Sequence, residues 1–353
     1  MEKIFRKKTK RITIKDVADF AGVTPGTASL ALNRDPSELK FSMQTITRIR
    51  EAAEKLNYRP NPLAQRLVSG ALAFPSVTIM APTEHGFGSL HNEEVLIGVV
   101  LAAATAGIKA DTVVPKFKNA ASPEFGTPEA IDATDGFILH TWCNIEDDSV
   151  LQPLLATGKP FVLANHYVQD ERIPCVGGDL LNAGSTVIRY LVELGHRYIA
   201  VMPGPKLLPK SHLYLQGMRN EMARYGMSLP DDNVNFGSYA DLDGAWIDRL
   251  LTQTLRPTAF VIAADEVATK LILYLREKGF TVPDDFSVVG FGNEAYSKFF
   301  SPKLTTINEH GREIGQRAMQ ILANLIEKKD AETKIKLDFE LVKRQSTAPP
   351  KKS

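Results

Sequence analysis

From Val77 onward, short apolar runs alternate with amphipathic stretches, and this alternation restricts the chain to few folds. Strand candidates are Val77–Met80, Gly136–Leu139, Pro160–Leu163, Tyr198–Met202, Ala259–Ile262 and Ser287–Phe291. Helix candidates between and after them are Glu93–Ala106, Leu181–Leu194, Leu213–Tyr225, Asp243–Thr254, Glu266–Lys278 and Arg312–Glu327. Buried runs separated by helices predict parallel sheets covered on both faces. About 280 residues of this pattern exceed one comfortable domain and predict two halves. Ligands in such folds sit at the carboxyl ends of the strands.

The first 58 residues read differently. Ile14, Val17, Ala18 and Ala21 recur at the spacing of one helical face, with Thr13 and Asp16 in the capping pattern at its start. Gly22 suits the left-handed residue that ends a helix, and Thr24-Pro25 reads as an N-cap followed by proline at the first helical position. The second helix runs from Pro25 to about Leu32, burying Ala28, Ala31 and Leu32, and stops near Asn33. A third, capped by Ser42, buries Ile46, Ile49, Ala53 and Leu56. Helix, tight turn, helix and bracing helix is a helix-turn-helix unit, whose second helix presents its first turn to the major groove. A plain helical bundle is the other reading of the same pattern.

Charge separates the two parts. The net charge is only +1, yet residues 1–70 hold 14 Lys/Arg against 7 Asp/Glu, and the remainder holds 28 against 34. Six of the basic residues (Lys3, Arg6, Lys7, Lys8, Lys10 and Arg11) precede the first helix, as in an arm that meets phosphate.

Several classes are argued against. Cys143 and Cys175 make neither a disulfide framework nor a Cys-x-x-Cys pair, which fits a reducing cytoplasm. The basic N-terminal residues lack the apolar run of a signal peptide, and no apolar stretch reaches the length of a membrane span. Gly86-Phe87-Gly88 lacks the remaining elements of a dinucleotide fingerprint, and no serine sits in a Gly-x-Ser-x-Gly elbow. His140-Thr141-Trp142-Cys143 has no second half for a metal site. No enzyme, metal or cofactor is expected.

ITIKDVADFAGVTPGTASLALN closely resembles the opening of the lactose-repressor (LacI) family of bacterial transcription regulators. FSMQTITRIREAAEKLNYRPNPLAQRL is similar to that family's third helix and hinge helix. LVELGHRYIAVMPG, VPDDFSVVGFGN, SPKLTTIN and LVKRQST resemble landmarks of its effector domain, and residues 81–134 match least. The resemblance implies a homodimeric regulator, expected to be a repressor. Its headpiece (1–58) and hinge (59–71) bind a pseudo-palindromic operator. Its periplasmic-binding-protein-like core (72–353) closes two lobes on a small effector, expected to be a sugar. Lobe boundaries are expected at about 72–174 with 306–330, and at about 175–305 with 331–347. A solute-binding protein and a regulator that has lost its effector stay open as alternatives.

On the second helix, Thr24, Thr27 and Ser29 carry hydroxyls suited to phosphate and base edges. By resemblance, Pro25 and Gly26 occupy the positions that read bases most directly, and Leu30 stands where an arginine is common. An arginine there takes guanine O6 and N7 together; Leu30 cannot, so readout is expected to be shifted or weakened. Thr13, Asn33, Asn61 and Ala64 complete the expected DNA-facing set. Leu67 matches the hinge leucine that wedges into the minor groove and kinks the duplex.

For the effector, the resemblance points to Asp265, at the end of a core strand. Tyr214 replaces a frequent arginine, Asn165 and Gly292 replace common aspartates, and Ala264 replaces an asparagine. His85, Phe87, Trp142, His166 and Asn293 are further candidates near the cleft, with Trp142 or Tyr214 expected to stack on the ligand. With Tyr214 supplying no cation, a neutral, hydroxyl-bearing ligand is expected.

Overall fold

The computed structural model describes residues 13–33, 39, 41–56, 58, 75–80, 90–113, 116–117, 123–124, 131, 133–140, 148–330 and 332–351. The chain divides into two units, Met1–Phe74 and Pro75–Ser353.

The first unit holds α1 (Ile14–Ala21), α2 (Pro25–Asn33) and α3 (Met43–Lys55). The capping box forms as the sequence predicts: the Thr13 N–H donates to Asp16 Oδ2 (2.7 Å), and the Asp16 N–H donates to Thr13 Oγ1 (3.4 Å). Gly22 ends α1 at φ 63°, a left-handed conformation that glycine adopts at no steric cost. Val17, Ala18, Ala28, Ala31, Ile49 and Ala52 form the core. Small residues dominate it, so the three helices pack closely.

The second unit contains two main sheets. In the first, β12 (Lys334–Leu337), β7 (Cys175–Gly178), β6 (Phe161–Ala164), β5 (Gly136–His140), β1 (Ser76–Met80) and β2 (Lys109–Val113) lie side by side in that order, all parallel. In the second the order is β13 (Glu340–Val342), β11 (Thr305–Asn308), β10 (Ser287–Phe291), β9 (Ala259–Ile262) and β8 (Ile199–Met202), with β13 alone antiparallel. A small hairpin of β3 (Lys116–Phe117) and β4 (Pro123–Glu124) stands apart. The central strands β5, β6, β9 and β10 are buried at every residue, as sheets covered on both faces require.

Helices α4 (Leu90–Thr105), α5 (Asp148–Ala156) and α10 (Gly311–Ile326) belong to the first sheet's lobe. Helices α6 (Leu180–Leu194), α7 (Pro209–Arg224), α8 (Gly244–Leu251) and α9 (Asp265–Glu277) belong to the second's. Two helix pairs approach through glycine. A Cβ on Gly217 of α7 would lie 2.1 Å from the Leu181 carbonyl oxygen of α6, and one on Gly315 of α10 would lie 2.0 Å from that of Val95 in α4.

The lobe boundaries differ from those expected. Cys175–Gly178 and Lys334–Leu337 pair with each other in the first sheet, not the second. Thr305–Asn308 lies in the second sheet, and the chain returns to the first lobe only at α10. Neither strand of the first pair carries a continuous apolar run: β7 reads CVGG and β12 reads KIKL. Their sheet is fixed by backbone pairing between distant segments, which composition does not reveal.

Candidate functional site

In the headpiece, the Thr24 side chain accepts from the Thr27 N–H (3.2 Å), so Thr24 is the N-cap of α2. Its hydroxyl also meets that of Thr27 at 2.9 Å. Thr24, Pro25 and Gly26 are exposed, Thr27, Ser29 and Leu30 are half-buried, and Ala28 and Ala31 are fully buried. The helix therefore anchors on two alanines and turns its first turn outward. Thr13 is exposed, its hydroxyl held 2.6 Å from Asp16. Asn33 is the last residue of α2. The basic arm and the hinge residues Asn61, Ala64 and Leu67 lie outside the described residues.

In the core, the expected ligand residues gather at the carboxyl ends of strands, as doubly wound sheets require. Asn165 (φ 69°) and His166 follow β6, Gly292 (φ 122°) and Asn293 (φ 51°) follow β10, and Asp265 opens α9 just beyond β9. His85, Phe87 and Trp142 lie outside the described residues.

Asp265 is buried and internally bonded. Its Oδ1 accepts the Thr306 hydroxyl (2.6 Å) and its Oδ2 accepts the Glu294 N–H (2.8 Å). Burial nevertheless pushes its carboxyl up to about 6. In this arrangement Asp265 ties the loop after β10 to β11, and a ligand would share an acceptor already in use. The Asn293 side-chain oxygen accepts from the Arg344 guanidinium, which also donates to the Leu304 carbonyl (2.7 Å).

Tyr214 departs from expectation. It is 2% exposed and packs edge-on against Phe291, with ring centroids 4.9 Å apart, so it offers no face for stacking. Its helical position explains this: Tyr214, Met218 and Met222 recur four apart along the core-facing side of α7. Burial raises the phenol far above its usual range, and the hydroxyl has no hydrogen-bond partner.

Other residues reach the strand ends unforeseen. The His91 Nε2 lies 2.8 Å from Asn165 Oδ1 and its Nδ1 lies 3.2 Å from Glu309 Oε2. The His91 N–H donates to Glu294 Oε1 (3.3 Å), joining the start of α4 to the loop after β10. Burial, together with neighbouring carboxylates, pushes Glu294 up to about 7. His140 ends β5 completely buried, and burial holds it down to about 3, with His91 and Lys210 adding to the effect. Burial and Lys210 hold His166 at about 4. A cavity of about 500 Å³ opens between His91, Glu94, Asn293, Glu294, His310 and Arg312. Of the expected ligand positions described, Gly292 and Asn293 line it, while Asp265, Tyr214, Asn165 and His166 do not. No signal in the sequence marks His91, Glu294 or Lys210, because they converge from segments far apart in the chain.

Residues 13–61 match the model of bacterial regulatory proteins of the lacI family, and residues 188–347 match that of a periplasmic binding protein-like domain. The chain belongs to the LacI family. It is 28% identical over 350 residues to the HTH-type transcriptional repressor CytR of Escherichia coli (strain K12), covering 97% of this chain and 98% of that protein. It is 26% identical to catabolite control protein A of Priestia megaterium, covering 95% and 99%. The lac repressor dimer bound to operator and the anti-inducer ONPF superposes with a TM-score of 0.76 at 23% identity, over 96% of this chain and 100% of that one. The transcriptional regulator CelR in complex with cellobiose gives 0.66 at 24% identity, over 95% and 100%. This LacI-family chain is a DNA-binding transcription regulator and not an enzyme. Among the described residues no helix is long and apolar enough to cross a membrane, and no cluster of side chains is fit to hold a metal ion.

Proposed function

We propose that this LacI-family chain is a homodimeric cytoplasmic repressor that reads a pseudo-palindromic operator and releases or tightens on it according to a small sugar-class metabolite held between the core lobes. The observation that carries the reading is α2, whose buried Ala28 and Ala31 fix it while Thr24, Pro25 and Gly26 stand exposed on its first turn. Thr27, Ser29 and Leu30 lie beside them, and Leu67 is the expected minor-groove wedge. With Pro25, Gly26 and Leu30 offering apolar surface, affinity leans on phosphate contacts from the basic arm.

The dimer reading is supported by α4. Ile97, Val100 and Leu101 are 42%, 48% and 48% exposed at the spacing of one helical face, an apolar stripe that a second copy would cover. The effector reading is supported by the polar groups collected at the strand ends, and by fold relatives that hold cellobiose or ribose. The test is operator binding by the full chain beside its oligomeric state. Leu101→Glu should convert the dimer to a monomer and weaken binding to a symmetric site more than to random DNA. A variant that stays dimeric would place the interface elsewhere.

A further inference from the structure

His91, at the start of α4 in the first lobe, has a side chain only 10% exposed and meets three other segments. Its Nε2 lies 2.8 Å from Asn165 Oδ1, in the loop after β6, and its Nδ1 lies 3.2 Å from Glu309 Oε2, in the crossover between β11 and α10. Its backbone N–H donates to Glu294 Oε1 (3.3 Å), in the second lobe's loop after β10. That loop is tied down in turn, because the Glu294 N–H donates to Asp265 Oδ2 (2.8 Å). Glycine seats the ring: a Cβ on Gly311, the first residue of α10, would lie 3.0 Å from both His91 Nδ1 and the His91 carbonyl oxygen. One residue thus joins the first lobe, the crossover and the second lobe.

Both ring nitrogens point at acceptors. Asn165 Nδ2 donates to Asn92 Oδ1 (3.2 Å), which turns the Asn165 carbonyl oxygen toward His91, and an ionised carboxylate such as that of Glu309 is acceptor-only. A neutral imidazole carries one N–H and one lone pair, so either tautomer aims its lone pair at an oxygen. Only the doubly protonated ring donates to Asn165 and pairs with Glu309 together. Histidine is the side chain whose charge change falls nearest neutral pH.

The charged groups around this joint are mostly acidic. Glu309 faces the ring from the crossover and Glu294 from the second lobe, with Asp265 behind it, and Glu93 follows on α4 itself. Of the cations, Arg312 is held by Glu94 at 2.8 Å and Arg344 by Asn293, while Lys298 and His310 reach the cavity that His91 lines. Burial keeps His140, at the end of β5, uncharged. Glu294 Oε2 is buried without a hydrogen-bond partner, and burial with the neighbouring carboxylates pushes this group up to about 7. The bonded arrangement therefore favours the protonated Glu294, and a rise in pH works against it. Loss of a proton from His91 acts in the same direction.

We propose that His91 is a proton-gated latch between the two lobes. With both ring nitrogens protonated it fastens α4 to the crossover and holds its N–H against Glu294. Loss of one ring proton turns a lone pair toward an oxygen and loosens the joint. Acidification tightens the cleft and alkalinisation frees it, so pH biases the closure on which a metabolite acts. The consequence at the operator rests on the regulator reading above; the latch itself does not.

Amide hydrogen exchange of the full chain at pH 6.0 and 8.0, corrected for the intrinsic acceleration of exchange with pH, reads the joint at residue 91, whose N–H spans it. Protection there should fall about tenfold between the two values, the worth of one charge-assisted bond. His91→Gln, which keeps the amide but cannot titrate, should remove the larger part of that response, and adding Glu294→Gln should remove the rest. A merely structural His91 would lower protection equally at both pH values. Glu309→Gln keeps the ring and its seat, and it too should shrink the response, which covers a His91→Gln variant that fails to fold. Equal protection of the wild type at both pH values, or a full response surviving Glu309→Gln or His91→Gln, overturns the latch. The second arm measures affinity at constant ionic strength for the duplex that the full chain selects from random DNA. Residues 1–71 contain no histidine, so a response to pH that shrinks in His91→Gln comes from the core. An exchange response without an operator response leaves the latch standing and overturns the reading that cleft closure governs DNA binding.

Discussion

Acidification should destabilise this protein through histidines that the fold keeps uncharged, and His196 offers the cleanest test. It is 1% exposed, with Nδ1 2.8 Å from the Thr258 hydroxyl and Nε2 3.0 Å from both the Ser287 hydroxyl and the Ala348 carbonyl. Burial holds it down to about 4, as it holds His140 at about 3 and His166 at about 4. In the unfolded chain each titrates near 6.5. The folded pKa lies below the unfolded one, so the unfolded state takes up protons first. Stability is complete above about pH 6.5 and is lost as the pH falls toward the folded values. At pH 5.5 each histidine then costs RT ln 11, about 1.4 kcal/mol, and the three together cost about 4 kcal/mol.

Two carboxyls act in the opposite sense. Asp265 at about 6 and Glu294 at about 7 are raised, so the folded chain binds their protons first and gains stability as the pH falls. Asp265 returns about 1 kcal/mol by pH 5.5, and Glu294 contributes less than its pKa alone would give because water screens it. The wild-type loss between pH 7.5 and 5.5 should therefore be on the order of 2 kcal/mol. His196→Gln keeps a polar group near the same partners but cannot charge. Urea denaturation should find the variant less stable at pH 7.5 and its loss on acidification smaller than wild type by about 1.3 kcal/mol. An unchanged loss on acidification would show that His196 protonates within the fold, and the reasoning would fail.

Leu30→Arg should shift the preferred operator toward guanine at one symmetric pair of positions, by about 1–3 kcal/mol, as read by selection from random DNA. Identical half-sites for both proteins would mean that residue 30 faces no base. Leu67→Ala should reduce DNA bending in a circular-permutation gel assay and weaken operator binding more than random-DNA binding. Equal losses on both DNAs would count against the wedge. Gly217→Ala should destabilise the core by about 1–3 kcal/mol, since α6 and α7 must part by roughly 1 Å to admit the new methyl. Wild-type melting of that variant would refute the close approach.

The headpiece was readable because its signals are local. The Thr13–Asp16 box, the left-handed Gly22, the Thr24–Pro25 start and the Ser42 cap each act within a few residues of where they stand. β1, β5, β6, β8, β9 and β10 were readable because their burial makes them short apolar runs. β2 was not: it is an exposed edge strand in which Lys109 pairs with Asp111 at 2.6 Å. β7, β12 and β13 depend on partners distant in sequence. The site divides along the same line. Positions at strand ends, such as Asp265, Asn165 and Asn293, were reached through the family resemblance, and the strand pattern agrees with where they lie. What those groups bond to could not be found from either, because His91 meets Glu294 across 203 residues and Thr306 meets Asp265 across 41. Tyr214 was misread because its aromatic chemistry outweighed its place on the core-facing stripe of α7.

Selection of bound sequences from random duplexes by the full chain shows whether α2 and its hinge read a two-fold symmetric DNA site. One pseudo-palindrome should be enriched, occupied by a dimer, with an affinity that falls steeply as salt rises because neutralised phosphates release counterions. No enriched sequence, a lone half-site bound by a monomer, or an affinity indifferent to salt would contradict it.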